Sequence, residues 1–308
     1  MMFHTSEFNG GPEQTSTEFP FMKFGDAIAD APPEPDWSWP GYVAPGAGTL
    51  IAARPKVGKS TLVFAMVAAM LGGRQFCGRK TSCKGVLLLS EEGIDTLAEK
   101  ARRFGIGDHP GFHVLLRRQV QAPWFEVVLA AREYCREHDL DVLIIDTFDK
   151  WTGIKGDDEN KSGRQLEAYE PLALALGDGL AVVVVAHQRK TAGEHGEAVR
   201  GSNALVGAVD IVLEIERVTG VPRARALIGT SRFAGTPEEM AVELTDDGYV
   251  NHGEVDGLRD RLDQQRILSV LTETNRITAE DVAEALDMVK ATALKRLAEL
   301  KDKGSVDR

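Results

Sequence analysis

The stretch Thr49-Leu50-Ile51-Ala52-Ala53-Arg54-Pro55-Lys56-Val57-Gly58-Lys59-Ser60-Thr61 decides the fold. Thr49–Ala52 has the length and composition of a buried strand, and Lys59–Leu71 is apolar and long enough for a helix. A strand, a loop ending in Gly-Lys-Ser and a helix is the context a phosphate-binding loop requires. In that geometry successive backbone N–H groups and the helix N-terminus surround phosphate oxygens. The segment Ala53, Arg54, Pro55, Lys56, Val57, Gly58, Lys59, Ser60 and Thr61 is therefore the expected nucleotide cradle. The pattern G-x-x-x-x-G-K-[ST] is met except at its first position. Ala53 stands there in place of glycine, which narrows the available dihedrals without removing a phosphate contact.

Apolar runs of strand length recur downstream at Val86–Leu89, Val142–Ile145, Ala181–Ala186 and Ile211–Ile215. They alternate with the helical segments Ile94–Arg103, Trp124–Glu137 and Ser162–Leu176. Strands apolar on both faces and separated by helices predict an α/β fold, a mostly parallel sheet covered on both sides. Ligands bind such sheets at the carboxyl ends of the strands, and the candidate residues lie there. Lys59 is expected to contact the β and γ oxygens of ATP, with the Ser60 hydroxyl on Mg²⁺. Asp146, ending the run Val142–Ile145, reads as the second Mg²⁺ group, acting through its water shell. Glu91 and Glu92 follow the strand Val86–Leu89, and hydrolysis needs a carboxylate to deprotonate water. Glu91 is the first choice for it and Glu92 the second.

The chain has 308 residues and a formal charge of −11, which argues against a protein that coats nucleic acid through bulk electrostatics. Any DNA contact is expected to be local. No apolar stretch approaches the roughly 20 residues of a membrane span, and the polar N-terminus lacks the apolar core of a secretory signal. A cytoplasmic protein with no membrane partner is the expectation. Cys77, Cys83 and Cys135 lack metal-ligand spacing and read as small buried side chains. Residues 1–36, rich in Pro, Glu, Ser and Thr, read as a loosely ordered arm, 37–250 as the core, 251–257 as a linker and 258–308 as a helical module.

The order P-loop, strand with Glu91, strand with Asp146, strand with His187-Gln188, then Arg200-Gly201-Ser202-Asn203-Ala204-Leu205 resembles the RecA/DnaB superfamily. Within it the chain is most similar to the RepA-like ATPases of plasmids and phages. The resemblance covers about Trp37 to Val250 and implies a RecA-like core. It makes His187 a sensor of the γ-phosphate and likens Gly229-Thr230-Ser231-Arg232-Phe233 to an arginine-finger segment that reaches the neighbouring subunit's nucleotide. Arg217 is a second nucleotide-binding candidate. The resemblance further implies a homo-oligomeric, hexameric ring on single-stranded DNA, with Arg189, Lys190 and Arg200 as DNA contacts. A replicative helicase or recombination-associated motor is the implied function. A DNA-bound regulator or loader that uses ATP as an assembly switch, without unwinding, is the alternative.

After Val250 the alternation stops, and Leu258–Thr274, Thr278–Leu286 and Lys290–Lys303 read as three helices. Thr278 with Asp281 three residues on makes a capping-box-like pair, and Gly304 stops the last helix. Ile277–Gly304 resembles the helix-turn-helix part of a winged-helix domain, with Lys295 and Arg296 as the expected phosphate contacts of a modest basic face, and a protein-docking or oligomer-bracing module is the alternative.

Overall fold

The computed structural model describes residues 21–29, 32–154, 162–188, 203–246, 248–273 and 278–306. The chain divides into two units, Met1–Pro35 and Asp36–Arg308. In the first, the described residues hold one short helix, α1 (Phe24–Ile28).

The second unit opens with β1 (Gly48–Ala53), α2 (Lys59–Leu71) and a small hairpin, β2 (Gln75–Phe76) and β3 (Arg79–Lys80). The chain then alternates β4 (Val86–Ser90), α3 (Ile94–Phe104), β5 (Phe112–Leu116), α4 (Trp124–Glu137) and β6 (Val142–Asp146). Three helices follow, α5 (Phe148–Thr152), α6 (Ser162–Tyr169) and α7 (Leu172–Gly177), before β7 (Ala181–His187), α8 (Asn203–Ala208) and β8 (Ile211–Arg217). Three further strands, β9 (Ala224–Ser231), β10 (Glu239–Thr245) and β11 (Gly248–Asn251), complete the sheet. The chain closes with α9 (Val255–Glu273), α10 (Ala279–Ala285) and α11 (Lys290–Asp302).

One nine-stranded sheet runs in the order β11-β10-β9-β8-β1-β7-β6-β4-β5. From β8 to β5 the pairs are parallel, and β9, β10 and β11 are added antiparallel. Side chains alternate between two cores, as a period of two requires. Ile51, Ile144 and Val183 face one core with α2 and α3, while Leu50, Leu143 and Val184 face the other with α4, α5 and α7. Burial on both sides is the reason these strands carry continuous apolar runs.

Two expected elements differ. The helix expected over Ser162–Leu176 is two helices, α6 and α7, because Pro171 lacks the N–H that a continuous helix needs and its ring crowds the preceding turn. The helix expected to begin at Leu258 begins at Val255, whose side chain is buried with Leu258 against Ala224, Ala226 and Ala241 of the antiparallel strands. At α10 the expected capping box is formed. Asp281 N–H donates to Thr278 Oγ1 at 3.2 Å and Thr278 N–H to Asp281 Oδ2 at 2.8 Å.

Candidate nucleotide site and its surroundings

β1 lies between β7 and β8 and delivers the loop 54–58 to the carboxyl edge of the parallel strands. Ala53 is the last residue of β1 and fully buried, so the first position of the loop pattern takes strand geometry and needs no glycine. The turn is made farther on, where Lys56 has φ +62° and Gly58 φ +117°. Gly58 precedes α2 without a side-chain cap, which leaves the N–H groups of the first helical turn available to an anion.

Lys59 is 6% exposed. Its Nζ donates to Ala53 O at 3.0 Å and lies 2.8 Å from Nδ1 of His187, the last residue of β7. An ammonium has no lone pair, so Nδ1 is the acceptor in this contact. Burial pulls the Lys59 pKa down, opposed by Asp146, Glu91 and Asp149. Asp146, 5% exposed at the end of β6, has a pKa pushed up to about 6 by burial first, then by Glu92 and Glu91. Glu91 N–H donates to Asp146 O at 2.8 Å, and its Oε1 accepts from Thr147 Oγ1 at 2.9 Å. Glu92 is ion-paired with Lys100 of α3, and both bear on Asp146, which Glu92 raises more than Glu91 does and Lys100 lowers. Adjacent in sequence, the two carboxylates both bear on Asp146 and differ in their partners: Thr147 holds Glu91 and Lys100 holds Glu92.

On the β8 side sequence reasoning named Arg217 but missed Arg225 and Tyr249 beside the loop. Arg217 Nη2 donates to Lys56 O at 2.8 Å, and Arg225 Nε of β9 to Val57 O at 2.6 Å. Arg225 is shifted down by burial and by Arg217. The Tyr249 hydroxyl of β11 stands 4.0 Å from where a Cβ on Gly58 would be. Beneath them Gln188 Nε2 donates to the buried Glu214 Oε2 at 2.9 Å. A cavity of about 340 Å³ opens here, between Arg54, Pro55 and Val57 of the loop and Ile215 and Arg217 of β8. Thr147 and Lys100 reach Glu91 and Glu92 through the packing of β6 and α3 beside β4, and Arg225 and Tyr249 arrive through antiparallel pairing.

Lys59, Glu91, Asp146 and His187 thus meet at one edge of the sheet. Residues 12–193 match the family described as AAA domain. The chain belongs to that family. Residues 264–306 match the family described as winged helix-turn-helix DNA-binding, a span that takes in the second half of α9 with α10 and α11. A KaiC-like protein from the hyperthermophilic archaeon Pyrococcus horikoshii OT3 has a similar fold, with a TM-score of 0.50 and 12% identity over 71% of this chain and 99% of that one. No curated protein matches the chain. The AAA-domain core is RecA-like and carries a P-loop, so nucleotide binding is a property of its family.

The other expected residues lie elsewhere in this AAA-domain protein. Arg232 follows β9 at the opposite edge of the sheet. Ser231 pairs with Ile211 at the start of β8, whereas Arg225 pairs with Arg217 at its P-loop end. The length of β1 separates the two edges, roughly 17 Å at about 3.3 Å per residue. Arg232 is therefore apart from Lys59 of its own chain. Arg189, Lys190 and Arg200 fall outside the described residues.

The expectation that Arg296 contacts DNA is corrected. It is 8% exposed and ion-paired with Asp260 of α9 and, at 3.0 Å, with Glu299, so it braces α11 against α9. Lys295 is exposed on α11, with Glu299 at 4.0 Å. Among the described residues no helix is long and apolar enough to cross a membrane.

Proposed function

We propose that the protein hydrolyses ATP at this site, as a RepA-like member of the RecA/DnaB group that assembles into a ring on single-stranded DNA. The observation that carries the reading is the meeting of Lys59, Asp146, Glu91 and His187 at the ends of four adjacent strands. In this reading residues 37–250 are the motor, α9, which begins at Val255 inside the expected linker 251–257, joins it to a DNA-directed module over 258–308, and 1–36 form an arm.

Each chemical part then has a residue. The loop from Ala53 to Thr61 and the N-terminus of α2 receive the phosphates, and Lys59 leaves Ala53 O and His187 for the β and γ oxygens. Arg217, beside the cavity of about 340 Å³, borders the nucleoside end. Ser60 and Asp146 would hold Mg²⁺, whose charge would draw off electron density from the breaking bond. The donor set fits it: Ser60 carries a hydroxyl in the first turn of α2, and Asp146 is a buried carboxylate whose raised pKa a cation would lower again. Glu91, with Oε1 fixed by Thr147, takes the proton of the attacking water as the new P–O bond forms and the bridging P–O bond to ADP breaks. Once Lys59 moves to phosphate, the His187 ring is released to donate to the γ-phosphate, and its departure again marks product. Arg232, set apart from its own P-loop, supplies the positive charge to a neighbour's γ-phosphate. Such fingers contribute about 10³–10⁵ in turnover.

Mass measurement of the full chain with Mg²⁺ and a non-hydrolysable ATP analogue, with and without single-stranded DNA, tests the assembly. A hexameric particle, and phosphate release stimulated by DNA, are the expected results. A strictly monomeric particle under all conditions contradicts the ring. Unwinding of a forked duplex separates a helicase from an ATP-dependent loader.

A further inference from the structure

Arg232 does not project freely from the end of β9. Its backbone N–H donates to Asp210 O at 3.0 Å, Nη1 to Asp210 Oδ1 at 2.9 Å, and Nη2 to Gly207 O at 3.2 Å. The second oxygen of Asp210 is occupied as well, because Oδ2 accepts from Gly48 N–H at 2.9 Å. Gly48 is the first residue of β1, and a Cβ there would stand 2.1 Å from the Tyr169 hydroxyl at the end of α6, so a larger residue would displace that side chain. The Asp210 carboxylate is thereby fixed between β1 and the arginine. The guanidinium is held at both terminal nitrogens by a carboxylate and by a carbonyl of the last turn of α8, while its side chain remains 65% exposed. A planar fork held at two points keeps its remaining N–H groups directed outward and loses little further freedom on meeting an anion.

We infer that Asp210, with the Gly207 carbonyl, is the positioning residue of Arg232: it orients the guanidinium for an anion presented by a neighbouring subunit. The inference rests on the proposed role of Arg232 across the interface. It adds that β1 carries the P-loop at one end and the anchor of the outgoing arginine at the other. Asp210 touches no nucleotide itself.

Asp210→Asn separates the anchor from the strand contact. The amide oxygen still accepts from Gly48 N–H, while the amide nitrogen faces Arg232 and cannot accept from it. In the full chain with Mg·ATP and single-stranded DNA, this variant is expected to lower kcat by about 10- to 100-fold, the order produced by small misplacement of a reacting group, with KM within about twofold of wild type. Mixed assemblies supply a readout that a merely structural residue would not give. Asp210→Asn mixed with Lys59→Ala should regain turnover, because an intact P-loop meets a well-held finger. Asp210→Asn mixed with Arg232→Ala should not, because both lack one.

Recovery in the second mixture, or a wild-type kcat for Asp210→Asn while Arg232→Ala is inactive, overturns the positioning role alone. A wild-type kcat for Arg232→Ala overturns the finger reading beneath it. Should Asp210→Asn fail to fold, Asp210→Glu keeps the charge and displaces it by one methylene. A severalfold fall in kcat at unchanged KM then supports the role, and an unchanged kcat overturns it.

Discussion

Replacing Asp146 by asparagine should stabilise the metal-free protein while destroying its activity. The carboxyl is 5% exposed, and burial together with Glu92 and Glu91 raises its pKa from 3.8 to about 6. A folded-state value above the unfolded one means that the native protein holds this proton more tightly. The stability it confers is complete below about pH 4 and is lost as pH rises through about 6. A shift of about two units corresponds to about 3 kcal/mol, an upper bound on what the neutral amide recovers at pH 8. Urea unfolding in EDTA at pH 4 and pH 8 measures it. The variant should match wild type at pH 4 and exceed it by up to about 3 kcal/mol at pH 8, whereas added Mg²⁺ and an ATP analogue should favour wild type. A variant less stable than wild type at pH 8, or a difference independent of pH, would refute the electrostatic account of Asp146.

Glu92→Gln should lower turnover by less than about fivefold, because Glu92 is engaged by Lys100; steady-state phosphate release measures this, and loss on the 10²–10⁴ scale of a missing general base would move that role from Glu91 to Glu92. Arg296→Ala should cost about 1–3 kcal/mol in chemical denaturation, less than for a fully buried pair because Asp260 and Glu299 are about a third exposed, with little change in DNA affinity. Lys295→Ala should leave stability unchanged and flatten the slope of log affinity for DNA against log salt by about one; an unchanged slope removes α11 from the DNA contact.

The core was legible because its strands are buried on both faces and because the loop after β1 needs particular residues at fixed spacing. Glu91 and Asp146 could be placed at strand ends without knowing which strands pair. Their surroundings could not. That Glu92 turns to Lys100 while Glu91 accepts from Thr147 depends on how α3 packs beside β4. β5 escaped notice because it is an edge strand with an exposed Val114 and polar His113, so neither a continuous apolar run nor clean alternation marks it. Arg296 looked like one more charge on a solvated helix. Its burial follows from the angle at which α9 meets α11, which periodicity does not encode. Pro171, the N-cap of α7, is a local signal in the sequence that separates α6 from α7. The anchor of Arg232 joins residues 48, 207, 210 and 232 through the register of β8 with β1 and β9, and no motif spans it.

Phosphate release by wild-type, Lys59→Ala and Glu91→Gln protein at saturating Mg·ATP, paired with nucleotide binding by each, tests the central claim most directly. Wild type should turn over, and Lys59→Ala should lose activity with weakened binding. Glu91→Gln should bind ATP as wild type does and release phosphate about 10²–10⁴-fold more slowly. Hydrolysis at the wild-type rate by either variant would contradict the assignment of this site.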